Sequence, residues 1–148
     1  MKIAIGSDHA GFELKEHLRK YLKERGLDVV DLGPADETPV DYPEIAMAVA
    51  EKVSTGKIPR GILICGTGIG MSMVANRFPG VRATLCHDLY TARMSREHND
   101  SNLLALGGRL LGKEIAREIV RVWLDAEFQR GNHQRRLDEI AVLDEKRR

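Results

Sequence analysis

Short apolar runs alternate with segments of helical periodicity along almost the whole chain. The clearest run, RGILIC at residues 60–65, ends in four consecutive apolar residues. Such continuity is typical of a strand buried on both faces of a sheet. Strands that alternate with helices form right-handed βαβ units, so the pattern predicts a parallel sheet covered by helices on both faces.

The periodicity predicts five strands, at residues 2–7, 27–33, 60–65, 81–86 and 102–108. The intervening helical segments are expected at 12–25, 40–56, 69–77, 88–99 and 113–128, and a last one at 132–148. No internal repeat or low-complexity linker interrupts this order. The sequence therefore predicts a single α/β domain over residues 1–148, a three-layer Rossmann-like fold with a five-stranded parallel sheet and an extended C-terminal helix.

Ligands of such sheets bind outside the carboxyl ends of the strands. That rule selects four stretches of this chain in advance: Ser7–Gly11, Cys65–Gly70, Cys86–Asp88 and Gly107–Arg109. Because these stretches also carry much of the chain's reactive chemistry, we expect the functional site at this edge of the sheet.

Composition excludes several classes of partner. The chain is 43% hydrophobic and 30% charged, and its net charge is only +1, which does not favour binding to nucleic acid or a membrane surface. Two cysteines without a CxxC spacing favour a reduced, cytoplasmic setting over a disulfide framework. No apolar run reaches the ~18 residues of a membrane span, and no metal-ligand spacing is present, so we expect neither metal nor cofactor.

A glycine-rich turn follows the third predicted strand. Three glycines within residues 66–70 bare the backbone, and consecutive N–H groups at a helix N-terminus bind anions. The dinucleotide-binding fingerprint requires a sixth-position glycine where this chain has Met71. No Gly-Lys-Ser/Thr closes the turn either, so a phosphate-binding P-loop is not predicted.

Cys65 directly precedes this turn. A helix N-terminus stabilises the thiolate form of a cysteine, which makes Cys65 a candidate base or nucleophile. The alternative is an inert, buried thiol, and the residues alone favour neither interpretation. Thr67, inside the turn, is either a proton relay or a helix cap. Cys86 ends the next predicted strand without a glycine turn, which favours a structural role.

Two histidines lie beside polar partners. Asp8 precedes His9 after the first strand, where the carboxylate either orients the imidazole or caps the next helix, and the two roles are compatible. His98 and Asn99 end the fourth predicted helix, where the helix dipole favours a protonated imidazole. The alternative for His98 is a solvated helix end.

Five separated segments, GSDHAGF, DYP, ICGTGIGMSMVANRFPGVRA, SREHNDSNLLALGGR and HQRR, occur in an order that spans nearly the whole chain. Together they resemble the B-type ribose-5-phosphate isomerase family, which also contains galactose-6-phosphate isomerase subunits. The resemblance implies an aldose–ketose isomerase of sugar phosphates. It also implies homodimers or homotetramers in which two chains share each site.

The resemblance assigns catalytic roles residue by residue. Cys65 matches the base that moves a proton between C2 and C1, and Thr67 matches a residue that assists proton transfer to the sugar oxygens. His98 matches the proton donor for opening the furanose ring, with Asp8 as its helper. The loop that stabilises the enediolate matches Gly66, Gly68, Ile69 and Gly70. The other substrate- or phosphate-contacting positions match His9, Tyr42, Asn99, Arg109 and Arg136, and Asn132 occupies one more such position.

One position departs from the family's pattern. Many ribose-5-phosphate isomerases have arginine before the histidine of the last motif, whereas this chain has Asn132 before His133. Arg135 or Arg130 is a candidate replacement for the lost guanidinium. Without the resemblance, the run from His133 to Arg136 is more typical of a solvated helix face than of a phosphate site.

Four functions remain in competition. A ribose-5-phosphate isomerase is favoured, and an allose-6-phosphate or galactose-6-phosphate isomerase of the same family is the nearest alternative. A sugar-phosphate- or nucleotide-binding module without catalysis would tolerate loss of the Cys65 thiol. A thiol hydrolase would form a covalent adduct on Cys65.

Overall fold

A computed structural model describes residues 1–147 of the chain. Five parallel strands form one sheet in the order β2-β1-β3-β5-β4. The strands are β1 (Lys2–Ser7), β2 (Asp28–Asp31), β3 (Arg60–Cys65), β4 (Ala83–Leu85) and β5 (Leu103–Gly107). The helices are α1 (Phe12–Glu24), α2 (Tyr42–Ser54), α3 (Ile69–Ala75), α4 (Leu89–Glu97), α5 (Lys113–Asp125) and α6 (Asn132–Lys146), and a short 3₁₀ turn, His9–Gly11, precedes α1.

The predicted three layers are confirmed by two apolar cores, one on each face of the sheet. Alternate residues of β3 point to opposite faces, so Ile62 and Ile64 pack with α1, α4 and α5. Leu63 and Cys65 pack with α2 and α3 on the other face. Because both faces are covered, the last five residues of β3 are buried, as its continuous apolar sequence predicted.

The C-terminal helix α6 lies outside these cores and buries no residue completely. Leu137, Ile140 and Ala141 line a shallow groove of about 280 Å³ against residues 76–82. Near its end, Asp144 accepts a hydrogen bond from the backbone N–H of Gly80 at 2.9 Å. These three apolar residues therefore share one face of the helix.

Most of the elements are shorter in the structure than predicted; β2, for example, is Asp28–Asp31 where 27–33 was expected. The strand expected at 81–86 is only Ala83–Leu85, so Cys86 follows the strand. At its start, the Asn76 side-chain amide hydrogen-bonds both the N–H and the carbonyl of Ala83, each at 2.9 Å. Helix α5 ends at Asp125 because Ala126 adopts an extended backbone.

Candidate active site

A cavity of about 450 Å³ opens at the carboxyl edge of the sheet, where the sequence predicted it. The register explains the convergence, because Ser7 pairs with Ile64 and Cys65 pairs with Gly107. The ends of β1, β3 and β5 are therefore adjacent. The cavity is lined by Asp8, Tyr42, Cys65, Gly66, Thr67, Ile69, Gly70, Met73 and Arg109.

Cys65 is the last residue of β3 and is only 5% exposed. Its sulfur accepts a hydrogen bond from the backbone N–H of Gly68 at 3.1 Å. Its carbonyl accepts a hydrogen bond from the N–H of Gly108 at 2.7 Å, which joins the glycine loop to the segment after β5. The Cys65 thiol therefore lies at the wall of the cavity and accepts a hydrogen bond from a backbone N–H.

The glycine loop is tightly enclosed, and its glycines are required by that enclosure. Gly68 caps α3 with a positive φ of 80°, and a Cβ there would lie 2.5 Å from Leu85 Cδ1 and 2.9 Å from the backbone of Leu106. A Cβ on Gly70 would lie 2.5 Å from the ring of Tyr42. Side chains at these two positions would displace the loop or the ring.

Asp8 makes the capping contact that the simpler interpretation predicted, whereas Thr67 makes a local turn contact beside Gly68, which is the N-cap of α3. The Asp8 carboxylate accepts a hydrogen bond from the N–H of Gly11 at 3.0 Å, so it caps the 3₁₀ turn. The Thr67 hydroxyl accepts a hydrogen bond from the N–H of Ile69 at 3.3 Å. Both residues also line the cavity, so these local contacts are compatible with the predicted chemical roles.

Three further predicted residues surround the cavity. Tyr42 opens α2 and covers Gly70, and Arg109 reaches Gly66, where an added Cβ would lie 3.3 Å from its Nη1. His9 is exposed beside Asp8, and its Nδ1 accepts a hydrogen bond from the N–H of Val40 at 3.4 Å. Arg109 thus brings a guanidinium to the cavity wall, whereas His9 adjoins the wall residue Asp8 in sequence and is not itself a lining residue.

The remaining predicted residues lie outside the walls of this cavity. His98 ends α4 and stacks on His133 of α6, with ring centroids 4.2 Å apart and planes 11° from parallel. Partial desolvation, and then the charges of His98 and Arg136, lower the pKa of His133 below its ordinary value. Within residues 1–147, the walls of the Cys65 cavity include none of His98, Asn99, Asn132 and Arg136.

Two residues near these sites were not among the predicted ones. Met73 lines the cavity one helical turn after Ile69, a spacing that would have identified it. The stacking of His133 on His98 joins two distant helices, and no sequence pattern indicates it.

Within the described residues, no group of three or more His, Cys, Asp or Glu side chains is arranged to hold a metal ion. No described helix combines the length and the apolar character needed to cross a membrane.

Comparison with known proteins agrees with this architecture. Residues 3–140 match the ribose/galactose isomerase family. The chain belongs to the ribose/galactose isomerase family. Its family relatives include ribose-5-phosphate isomerase B of Escherichia coli, 47% identical over 99% of this chain and 98% of the relative. They also include D-erythrulose-4-phosphate isomerase of Pectobacterium atrosepticum, 44% identical over 97% of this chain and 95% of the relative.

Solved structures of the family share the fold. Ribose-5-phosphate isomerase B of Clostridium thermocellum superimposes with a TM-score of 0.98 at 51% identity, covering 100% of both chains. Ribose-5-phosphate isomerase B of Mycoplasma genitalium, solved with bound ribulose-5-phosphate, superimposes with a TM-score of 0.94 at 41% identity, covering 97% of this chain and 96% of that one. The predicted family, its isomerase class and the Rossmann-like fold are therefore confirmed.

Proposed function

We propose that this chain, as a single isomerase domain, interconverts ribose 5-phosphate and ribulose 5-phosphate through a cis-enediolate, without a metal or redox cofactor. The observation that carries the proposal is the Cys65 thiol, held 3.1 Å from a backbone amide at the wall of a cavity with a glycine loop. The E. coli and C. thermocellum relatives named ribose-5-phosphate isomerase B support the choice of sugar.

Cys65 acts as the base. Isomerisation of an aldose requires removal of the proton on C2 and its delivery to C1, and a thiolate suits such transfer near neutral pH. The Gly68 N–H that donates to the sulfur stabilises its negative charge. Thr67, which lines the same wall, passes a proton between the sugar oxygens O1 and O2 in this proposal.

The glycine loop stabilises the intermediate. Negative charge develops on O1 and O2 of the enediolate, and a preorganised backbone donor at such a charge contributes roughly 3 kcal/mol. Gly66, Ile69 and Gly70 line the cavity next to Cys65, and we propose that the backbone of this loop supplies these donors, while the Gly68 N–H is already bonded to the Cys65 sulfur. The left-handed conformation of Gly68 keeps the loop in this shape before substrate binds.

A second chain completes the site in the proposed enzyme. His98, the proton donor for ring opening, and Asn99, Asn132 and Arg136 lie outside the Cys65 cavity of their own chain. We therefore infer a cytoplasmic homodimer or homotetramer in which the cluster around His98 of one chain faces the cavity of another. Asp8 assists at the ring oxygen, Tyr42 lines the sugar pocket, and His9, Arg109 and Arg136 hold the phosphate.

A tetrose phosphate is a second candidate substrate, because the P. atrosepticum relative is named D-erythrulose-4-phosphate isomerase. Asn132 bears on the choice of sugar phosphate. The guanidinium common at that position can donate to two phosphate oxygens from two nitrogens, whereas the Asn132 amide donates from a single uncharged nitrogen. Allose and galactose 6-phosphates remain the hexose alternatives.

Proton NMR of ribose 5-phosphate with the purified protein and EDTA tests the proposal. We expect ribulose 5-phosphate to form, and faster than product from erythrose 4-phosphate, allose 6-phosphate or galactose 6-phosphate in parallel tubes. Faster turnover of another sugar would reassign the substrate. A folded protein that converts none of the four would contradict an isomerase and favour a binding module.

A further inference from the structure

Lys15 is a charged residue in an unusual place. It lies in the first turns of α1, and its side chain is completely buried. A buried ammonium is costly unless it is paired and hydrogen-bonded, so its partners must be well placed. The proposed chemistry does not use this residue.

The hydrogen-bond acceptors of Lys15 lie at the end of β2 and in the loop that follows it. Its Nζ donates to both carboxylate oxygens of Asp31, at 2.9 and 3.0 Å, and to the carbonyl of Pro34 at 2.6 Å. These three acceptors match the three N–H groups of an ammonium. The Glu16 carboxylate adds charge at 3.5 Å, and the ring of Phe12 lies 5.1 Å away.

These contacts clamp together two segments that border the cavity. One is the start of α1, which directly follows Asp8 and His9. The other is the loop from Leu32 to Asp41, which leads into Tyr42 at the start of α2. Lys15 therefore connects the segment that follows the wall residue Asp8 to the loop that precedes the wall residue Tyr42, and it does not itself line the cavity.

The outer part of this loop has few other attachments. Residues 35–39 are exposed, and Thr38 bonds only locally, to Asp36. Within the described chain, the one hydrogen bond from residues 35–41 to a distant segment runs from the N–H of Val40 to His9 Nδ1, at a long 3.4 Å. The position of the loop thus depends on its base, where Lys15 holds Pro34 and backbone hydrogen bonds with Ile5 and Ser7 of β1 hold Leu32 and Gly33.

We propose that Lys15 is a positioning residue that sets the placement of His9 and Tyr42 at the cavity by clamping the base of the 32–41 loop to α1. The proposal rests on the proposed function for its kinetic consequence, but its structural consequence is independent of any activity. Loss of the clamp misplaces two binding residues and leaves Cys65 and its loop in place. Substrate affinity therefore falls more than the rate of the chemical step.

Three variants separate positioning from stability. Lys15→Met removes the ammonium and leaves the Asp31 carboxylate without its main partner, which destabilises the fold. Lys15→Met combined with Asp31→Asn removes both charges, and the amide oxygen still accepts from Gly33 N–H as Asp31 does at 2.9 Å. The control, Leu18→Ala, opens a void at a fully buried position one turn along the same helix.

The measurements are urea unfolding, KM and kcat for ribose 5-phosphate, and hydrogen exchange of the Val40 amide. We expect KM to rise about tenfold in both Lys15 variants while kcat changes by less than about threefold. The double variant should recover stability relative to Lys15→Met yet keep the raised KM. Val40 should exchange about tenfold faster in both Lys15 variants and unchanged in Leu18→Ala.

A double variant whose KM and Val40 exchange return to wild-type values along with stability would overturn the proposal. An equal rise of KM in Leu18→Ala would overturn it as well. If the wild type converts no sugar phosphate, the proposed function fails, and Val40 exchange alone still decides the role of Lys15.

Discussion

Replacement of Gly68 by alanine tests the glycine loop most sharply. Two costs add at this position. A φ of 80° is unfavourable for an L residue by about 1–2 kcal/mol, and overpacking against a rigid neighbour costs about 1–3 kcal/mol more. That neighbour is the backbone of Leu106, whose carbonyl carbon would lie 2.9 Å from the added Cβ. Gly68→Ala should therefore destabilise the fold by about 2–5 kcal/mol.

Gly56 provides the matched control. It also has a positive φ, of 75°, but an added Cβ would meet nothing within 4 Å. Gly56→Ala should thus cost only the conformational part, about 1–2 kcal/mol. Urea unfolding monitored by far-UV circular dichroism measures both variants, and isomerase activity should fall only in Gly68→Ala. Equal stability losses in the two variants would refute the argument that the loop is sterically enclosed.

Two other perturbations address the core and the histidine pair. Trp123→Phe removes the buried indole N–H that donates to the Ser101 hydroxyl at 3.1 Å, and urea unfolding should show a loss of about 1–3 kcal/mol. Because desolvation and the charge of His98 lower the pKa of His133, its imidazole should titrate by NMR below the ordinary value of 6.5 and closer to that value in His98→Ala. The unfolded chain binds this proton at higher pH than the folded chain does, so the contribution of His133 to stability should be lost as pH falls through its lowered pKa. A titration of His133 at or above the ordinary value would contradict the stacked geometry.

Much of the architecture was predictable because local and global preferences agree. RGILIC forms β3 over its whole predicted length, since a strand buried on both faces needs an unbroken apolar run. Asp88, a residue type that favours helix N-termini, caps α4 by accepting a hydrogen bond from Thr91 N–H at 2.7 Å. The predicted start of β4 was wrong. The Asn76 side-chain amide hydrogen-bonds both the N–H and the carbonyl of Ala83, where the strand begins, and such a contact leaves no periodic signal in the sequence.

The candidate site, too, was predictable in part. The rule that ligands bind at the carboxyl ends of parallel strands was enough to select Asp8, Cys65 and Arg109, which all line one cavity. Lys15 was not predicted, because a lysine in an amphipathic helix is ordinarily solvated and its Asp31 partner lies 16 residues away. The stack of His98 on His133 likewise depends on how α6 packs, which the sequence pattern does not specify.

The central claim is that Cys65 transfers the proton between the two sugar carbons. The direct measurement is deuterium incorporation into ribulose 5-phosphate formed in D₂O with EDTA, comparing wild type, Cys65→Ala and Cys86→Ala. Cys86 is the matched control, because it is also buried, its burial raises the pKa of its thiol, and it lies outside the cavity. We predict product with deuterium at C1 from wild type and Cys86→Ala, and neither product nor exchange from folded Cys65→Ala. Continued exchange in folded Cys65→Ala would contradict the account and assign the proton transfer to another group.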